Sequence, residues 1–147
     1  MEQRKITRTI TIFVDTDAFV ALIKKNDGNH ARAKNIFQKL QGMSIEFTTS
    51  NYVFSETITI LSQKINHATA IRYIDAMLSS ENIFNIKRAD EEMEDLAISI
   101  FKNQTSKNIS FVDCANMAVI RKLGLDGIFS FDRAYIANKI SLAETFI

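Results

Sequence analysis

At 147 residues, with 46% apolar and 24% charged positions, the chain has the size and composition of one globular domain. No apolar run approaches the ~20 residues of a membrane span, and the short run around Ile10–Val14 ends in Asp15, which does not fit a signal peptide. A single cysteine, Cys114, excludes an internal disulfide and points to a reducing, cytoplasmic setting; with only two histidines it also excludes a zinc cage. The net charge of +1 announces no nucleic-acid partner, although acids gathered in a pocket would hide a basic surface in the sum.

In chain order, residues 9–14 (TITIFV) are β-branched and aromatic and read as a strand. AFVALIKK is a short helix, and NDGNHARAKNIFQKLQG places Ala33, Ile36, Phe37 and Leu40 at helical spacing with Gly42 as its stop. SIEFTT (44–49) is a second strand. A helix over 50–65 follows, with Val53, Thr57, Ile60 and Leu61 inward. Asn66 caps another, whose expected inward stripe is Ala70, Ile71, Ile74, Met77 and Leu78. IFNIK (83–87) is a third strand, and Asp90 caps the acidic-started helix DEEMEDLAISIF. Ser110 caps a helix over 111–123 that ends at Gly124. GIFSF (127–131) is a fourth strand, and the remaining residues hold a short helix and an edge strand. Alternating strands and helices predict an α/β domain over 10–147: a parallel sheet of four to five strands, flanked by helices on both faces.

In such folds ligands bind beyond the carboxyl ends of the strands. Asp15 and Asp17 stand at the end of the first strand, Glu56 lies in the helix after the second, Asp113 in the first turn of the helix at 111, and Asp132 after the fourth strand. Each has an ordinary alternative. Asp113 completes a capping box with Ser110, Asp132 can cap the turn DRAYIA, and Glu56 can be a solvated helix residue. Together, four carboxylates at one end of a sheet repel one another. A hard cation relieves that repulsion; Mg²⁺ or Mn²⁺ bound through carboxylate oxygens would suit phosphodiester hydrolysis.

The ordered segments IFVDTDAFVAL, DGNHARAKNIFQKL, TTSNYVFSETITIL, ISFVDCANMAVIRKLG and IFSFDRAY resemble the PIN-domain ribonucleases, and among them the VapC-type toxins of toxin–antitoxin pairs. The resemblance covers nearly the whole chain. It implies an endoribonuclease whose catalytic and metal-binding acids are Asp15, Glu56, Asp113 and Asp132, with Ser110 and Ser130 orienting them. It implies an RNA substrate, a partner antitoxin that blocks the pocket, and a homodimer. Asp17 stands where the family more often has Asn or Ser, so it either joins the site or caps the next helix. Residues 1–9 (MEQRKITRT) precede the usual family start and read as a basic arm, ordered or not, or as a matter of start-site choice. His30 matches a family position and takes a structural reading, and Cys114 that of a small buried hydrophobe.

Two other readings compete. A haloacid-dehalogenase-type phosphatase also runs a strand into D-x-D, but Ala18 and Phe19 do not fit it and Glu56 would have no role. A non-catalytic PIN-like scaffold binding RNA or protein would have lost an acid, and none is lost. Lys24, Lys25, Arg32, Arg121, Lys122 and Arg133 either flank an RNA path or form solvated faces. The surplus of Ile71, Tyr73, Ile74 and Met77, with Ile36 and Phe37, is expected to mark an interface between helices, if it is not core.

Overall fold

The computed structural model describes residues 8–147; most of the expected N-terminal extension therefore lies outside the described residues. The chain alternates as β1 (Ile10–Val14), α1 (Thr16–Ile23), α2 (His30–Gln41), β2 (Ile45–Ser50), α3 (Asn51–Lys64), α4 (His67–Leu78), β3 (Phe84–Lys87), α5 (Glu91–Lys102), α6 (Phe111–Leu123), β4 (Gly127–Phe129) and α7 (Ala134–Ala137). A 3₁₀ turn at Ala143–Phe146 closes it. The four strands are all parallel, in the order β3-β2-β1-β4. β1 is therefore central, and Ile12, Phe13 and Val14 are fully buried, as expected of a strand covered on both faces.

The elements follow the sequence where local chemistry is strong. Ser50, Asn66, Asp90 and Ser110 each accept a bond from the backbone three residues on, capping α3, α4, α5 and α6. Gly124 ends α6 with φ +63°, a conformation that favours glycine. Where neighbours intervene, the boundaries move. α1 starts two residues early because the Asp15 side chain caps Thr16. Gly42 ends α2 in a right-handed conformation, with its amide bonded back to Gln38 and Lys39, so no left-handed turn is used. β4 stops at Phe129 because the Phe131 amide turns away to Asp17. The expected C-terminal edge strand is a single bridge, Leu142 to Ile128.

The inward stripe of α4 also differs from the expected one. Thr69, Ala70, Tyr73 and Met77 are buried, whereas Ile71 and Leu78 are 43% and 62% exposed. Tyr73 won the inward place because it meets an aromatic cluster: its ring sits 5.4 Å from Phe19 and 5.9 Å from Phe54, and Phe19 in turn packs on Phe84 at 5.1 Å. His30 bonds through Nδ1 to the Ala21 carbonyl at 2.7 Å, tying α2 to α1, and Cys114 is buried. Both take the structural roles expected of them.

Candidate active site

β1 carries Asp15 to the carboxyl edge of the sheet, between the ends of β2 and β4. Its amide still donates to Phe129 across the sheet (3.1 Å), while its side chain turns to accept from Thr16 N (2.8 Å). α3 leaves the same edge, and its residues Glu56, Ile60 and Lys64, spaced by four, share one side. α6 begins there with Asp113, and Asp132 follows β4. Asp15, Asp17, Asp27, Glu56, Asp113 and Asp132 line one cavity of about 290 Å³, with Lys64 as its one cation. All four acids expected at the site are thus brought together, and Asp17 joins them.

Each carboxylate is held by its own local bonds. Ser110 and Asp113 form the expected capping box: Ser110 Oγ accepts from Asp113 N (3.1 Å), and Asp113 Oδ2 accepts from Ser110 N (3.0 Å). Asp17 does not cap α1. Its Oδ2 accepts from Phe131 N (2.8 Å) and from the Ser130 hydroxyl (3.0 Å), and Ser130 Oγ accepts from Asp132 N (3.1 Å). Asp132 Oδ1 accepts from Ala134 N at 2.9 Å. Ser110 orients Asp113, and Ser130 links Asp17 to Asp132.

Behind Asp15 lies a buried polar relay. Asn116 Nδ2 donates to Asp15 Oδ1 and contacts the Tyr135 hydroxyl, both at 3.0 Å. That hydroxyl stands 2.8 Å from Asp15 Oδ2 and 3.3 Å from Asp113 Oδ1. One hydroxyl proton cannot serve both carboxylates, and the shorter contact assigns it to Asp15. Both Asn116 and Tyr135 are fully buried.

Burial pushes the Asp15 carboxyl up to about 7; the charge of Asp17 adds to this, against the Tyr135 and Thr16 hydrogen bonds. Asp17 is raised too, chiefly by burial. The Tyr135 hydroxyl is pushed far above its ordinary range by burial and by Asp15.

Asp15 and Asp17, whose charged forms burial disfavours, would gain from a bound cation. Asp17 Oδ1 is buried without a partner, and every donor here is a hard oxygen, which suits Mg²⁺ or Mn²⁺. Among the described residues no three acids form a closed cage. A hard-oxygen donor set of this kind fits Mg²⁺, which ordinarily keeps several of its waters.

Sequence reasoning passed over Asn116, Tyr135, Asp27 and Lys64. A signal existed for two of them. Asn116 is a lone amide in the otherwise apolar stretch from Cys114 to Ile120, one turn after Asp113, and Tyr135 is one turn after Asp132.

A parallel sheet with acids gathered at its carboxyl edge is an arrangement suited to metal-assisted phosphodiester chemistry. The PIN domain model matches residues 12–140, and the chain belongs to the PIN-domain family. Within it the chain is similar to the VapC-type toxins. It is 29% identical over 126 residues to the 23S rRNA-specific endonuclease VapC20 of Mycobacterium tuberculosis, covering 86% of this chain and 92% of that protein. The crystal structure of VapC20, described as a sarcin–ricin loop cleaving toxin, superposes with a TM-score of 0.79 at 28% identity, over 88% of this chain and 96% of that one. FitAcB from Neisseria gonorrhoeae (TM-score 0.67, 15% identity, 89% and 95% coverage) shares the fold. So does a toxin–antitoxin complex from Klebsiella pneumoniae (0.58, 12%, 83% and 87%).

Proposed function

We propose that this protein is an endoribonuclease toxin that cleaves RNA with the help of a divalent cation, Mg²⁺ or Mn²⁺. The observation that carries this is the cavity in which Asp15, Glu56, Asp113 and Asp132 meet at the carboxyl edge of β1, in a chain alike over most of its length to an rRNA endonuclease. Asp15 and Asp113 would hold the cation, with Glu56 and Asp132 around it. When bound, the cation supplies charge for an in-line displacement at phosphorus and lowers the pKa of a water. The chain's own part is positioning. Asn116 and Tyr135 fix both oxygens of Asp15, the Ser110 capping box fixes Asp113, and Ser130 ties the loop after β4 to Asp17. A loop of large-subunit rRNA is the first substrate to assay. The haloacid-dehalogenase reading falls with the family assignment.

The antitoxin is part of the proposal. An apolar groove of about 510 Å³ between α1, α2 and α4, lined by Phe19, Leu22, Phe37, Tyr73, Met77 and Phe84, suits the apolar face of a helix. A homodimer is expected as well, and light scattering of the free protein reads it directly. Among the described residues no helix is long and apolar enough to cross a membrane.

Asp113→Asn is the first test. It keeps the capping-box acceptor through its amide oxygen and removes one charge. RNA cleavage with Mg²⁺ or Mn²⁺ is expected to be lost while circular dichroism and melting are retained. A folded variant that cleaves at the wild-type rate would refute the assignment of Asp113.

A further inference from the structure

The acidic cavity adjoins a groove of opposite character. The groove, about 780 Å³, lies between the α1–α2 loop and the corner joining α3 to α4. Lys24, Lys25, Lys64 and Arg72 line it, over a floor that includes Ile23 and Ile65, and its lining contains no Asp or Glu. Lys64 lines both spaces, so the two are neighbours.

Among the described residues none of these four cations is in an ion pair. The ion pairs among the described residues are Arg8–Asp126, Arg32–Glu144 and Lys122–Glu92. This separates the basic residues that the sequence leaves ambiguous: Arg32 and Lys122 are engaged with acids, whereas Lys24 and Lys25 join two cations contributed by α3 and α4. Of the four only Lys64 also lines the acidic cavity, and among the described residues it makes no ion pair with the carboxylates there. A polyanion approaching six carboxylates is repelled, so it needs attraction beside the site.

We infer that this groove seats the RNA strand flanking the scissile phosphate, with Lys24, Lys25, Lys64 and Arg72 facing successive phosphates. The inference rests on the ribonuclease reading above and names the side from which substrate enters. A positive groove tracking a backbone is the recurrent way to hold a single strand. Such contacts position the strand without selecting sequence.

The test is binding without cleavage. In the Asp113→Asn background, affinity for a fluorescein-labelled, mixed-sequence oligoribonucleotide of about a dozen nucleotides is measured by anisotropy across KCl concentrations, without divalent ions. Each phosphate contact on a single strand contributes about 0.7 to the slope of log K against log salt. The combined Lys24→Gln, Lys25→Gln and Arg72→Gln variant is therefore expected to lose about 2 from that slope, and about a hundredfold in affinity near 0.1 M salt. These side chains make no ion pair, and of the three only Arg72 bonds to another side chain, Thr69, so melting is expected to be unchanged. The combined Lys39→Gln, Lys102→Gln and Lys107→Gln variant, all exposed positions remote from the groove lining, removes the same charge and is expected to lose far less.

Equal losses in the two variants, or no loss in the first, would overturn the groove. The second result would leave it to an acidic protein segment. Cleavage of the same oligonucleotide by the wild-type protein with Mg²⁺ or Mn²⁺ is scored separately. Cleavage together with groove-independent binding overturns the groove alone. Groove-dependent binding with no cleavage supports the groove and overturns the nuclease reading.

Discussion

Replacing Asp15 by Asn should change how stability depends on pH more than it changes stability itself. In the folded, cation-free protein burial pushes the Asp15 carboxyl up to about 7, from 3.8 for the exposed group. The folded state therefore holds a proton that the unfolded state has already released. A raised folded pKa stabilises below the unfolded value and loses that contribution as pH rises through the folded one. Integrating the difference in bound protons from about pH 5 to about pH 7.5 gives a loss of roughly 2–3 kcal/mol from this one group. For a domain of this size that is about 5–10 °C in melting temperature. Asp17, raised in the same direction, adds to the trend.

Asn at position 15 removes the titration and keeps the contacts. Its amide oxygen can accept from Thr16 N and Asn116 Nδ2, and its amide group can donate to the Tyr135 hydroxyl, which is then free to turn to Asp113. Thermal melts of both proteins in EDTA between about pH 5 and about pH 7.5 read the effect. The wild type should melt lower at the higher pH, and Asp15→Asn should flatten most of that fall. Added Mn²⁺ should raise the wild type at high pH, by about 2.7 kcal/mol at a hundredfold excess over its dissociation constant, and raise the mutant much less. A wild-type protein no less stable at pH 7.5 than at pH 5, or a mutant with the same slope, would refute the burial argument.

Tyr135→Phe keeps the ring and removes the hydroxyl between Asp15 and Asp113. Cation affinity, read by calorimetry, should fall about tenfold, and stability should change by about 1–3 kcal/mol for a lost buried hydrogen bond; an unchanged dissociation constant would show that the relay does not position Asp15. Gly127→Ala should destabilise by about 1–3 kcal/mol, because its Cβ would lie 2.7 Å from both the Phe146 ring and the Ser141 carbonyl oxygen; urea denaturation measures it. Asp90→Ala removes the cap that accepts from Met93 N at 2.9 Å and should cost about 1 kcal/mol, read in the same way and without effect on RNA cleavage.

The fold was legible wherever sequence-local chemistry decides it. Period, caps and the Gly124 stop placed every helix and strand within a few residues, and the alternation gave a parallel sheet with acids at one edge. What escaped depends on contacts distant in sequence. The choice of Tyr73 over Ile71 as the buried face of α4 follows from Phe19, Phe54 and Phe84, on three other elements. β4 ends early because Asp17, more than a hundred residues before it, takes the Phe131 amide. Asn116 and Tyr135 act through Asp15, and a residue whose partner is not known in advance looks like any buried polar side chain. The acids were easier to find because a carboxylate at the end of a buried strand is costly without a reason, whereas an amide or a phenol in a helix is not.

The near-zero net charge is the least informative number in the sequence, because it adds charges that the fold keeps apart. Six carboxylates line one cavity and four cations, without ion-pair partners among the described residues, line the groove beside it, meeting at Lys64. Interactions between exposed charges fade over about 8–10 Å at physiological salt, so a strand arriving at the groove meets its cations before the full repulsion of the acids. The two fields also respond oppositely to conditions. Added salt weakens the groove, whose charges are largely exposed, and leaves Asp15 nearly untouched because it is buried. Raising the pH ionises Asp15 in the cation-free protein. Salt should therefore act chiefly on KM, and pH chiefly on the cation concentration that cleavage requires. Steady-state cleavage measured along both axes separates the two, and a salt effect confined to kcat would place the phosphate contacts inside the acidic cavity instead of the groove.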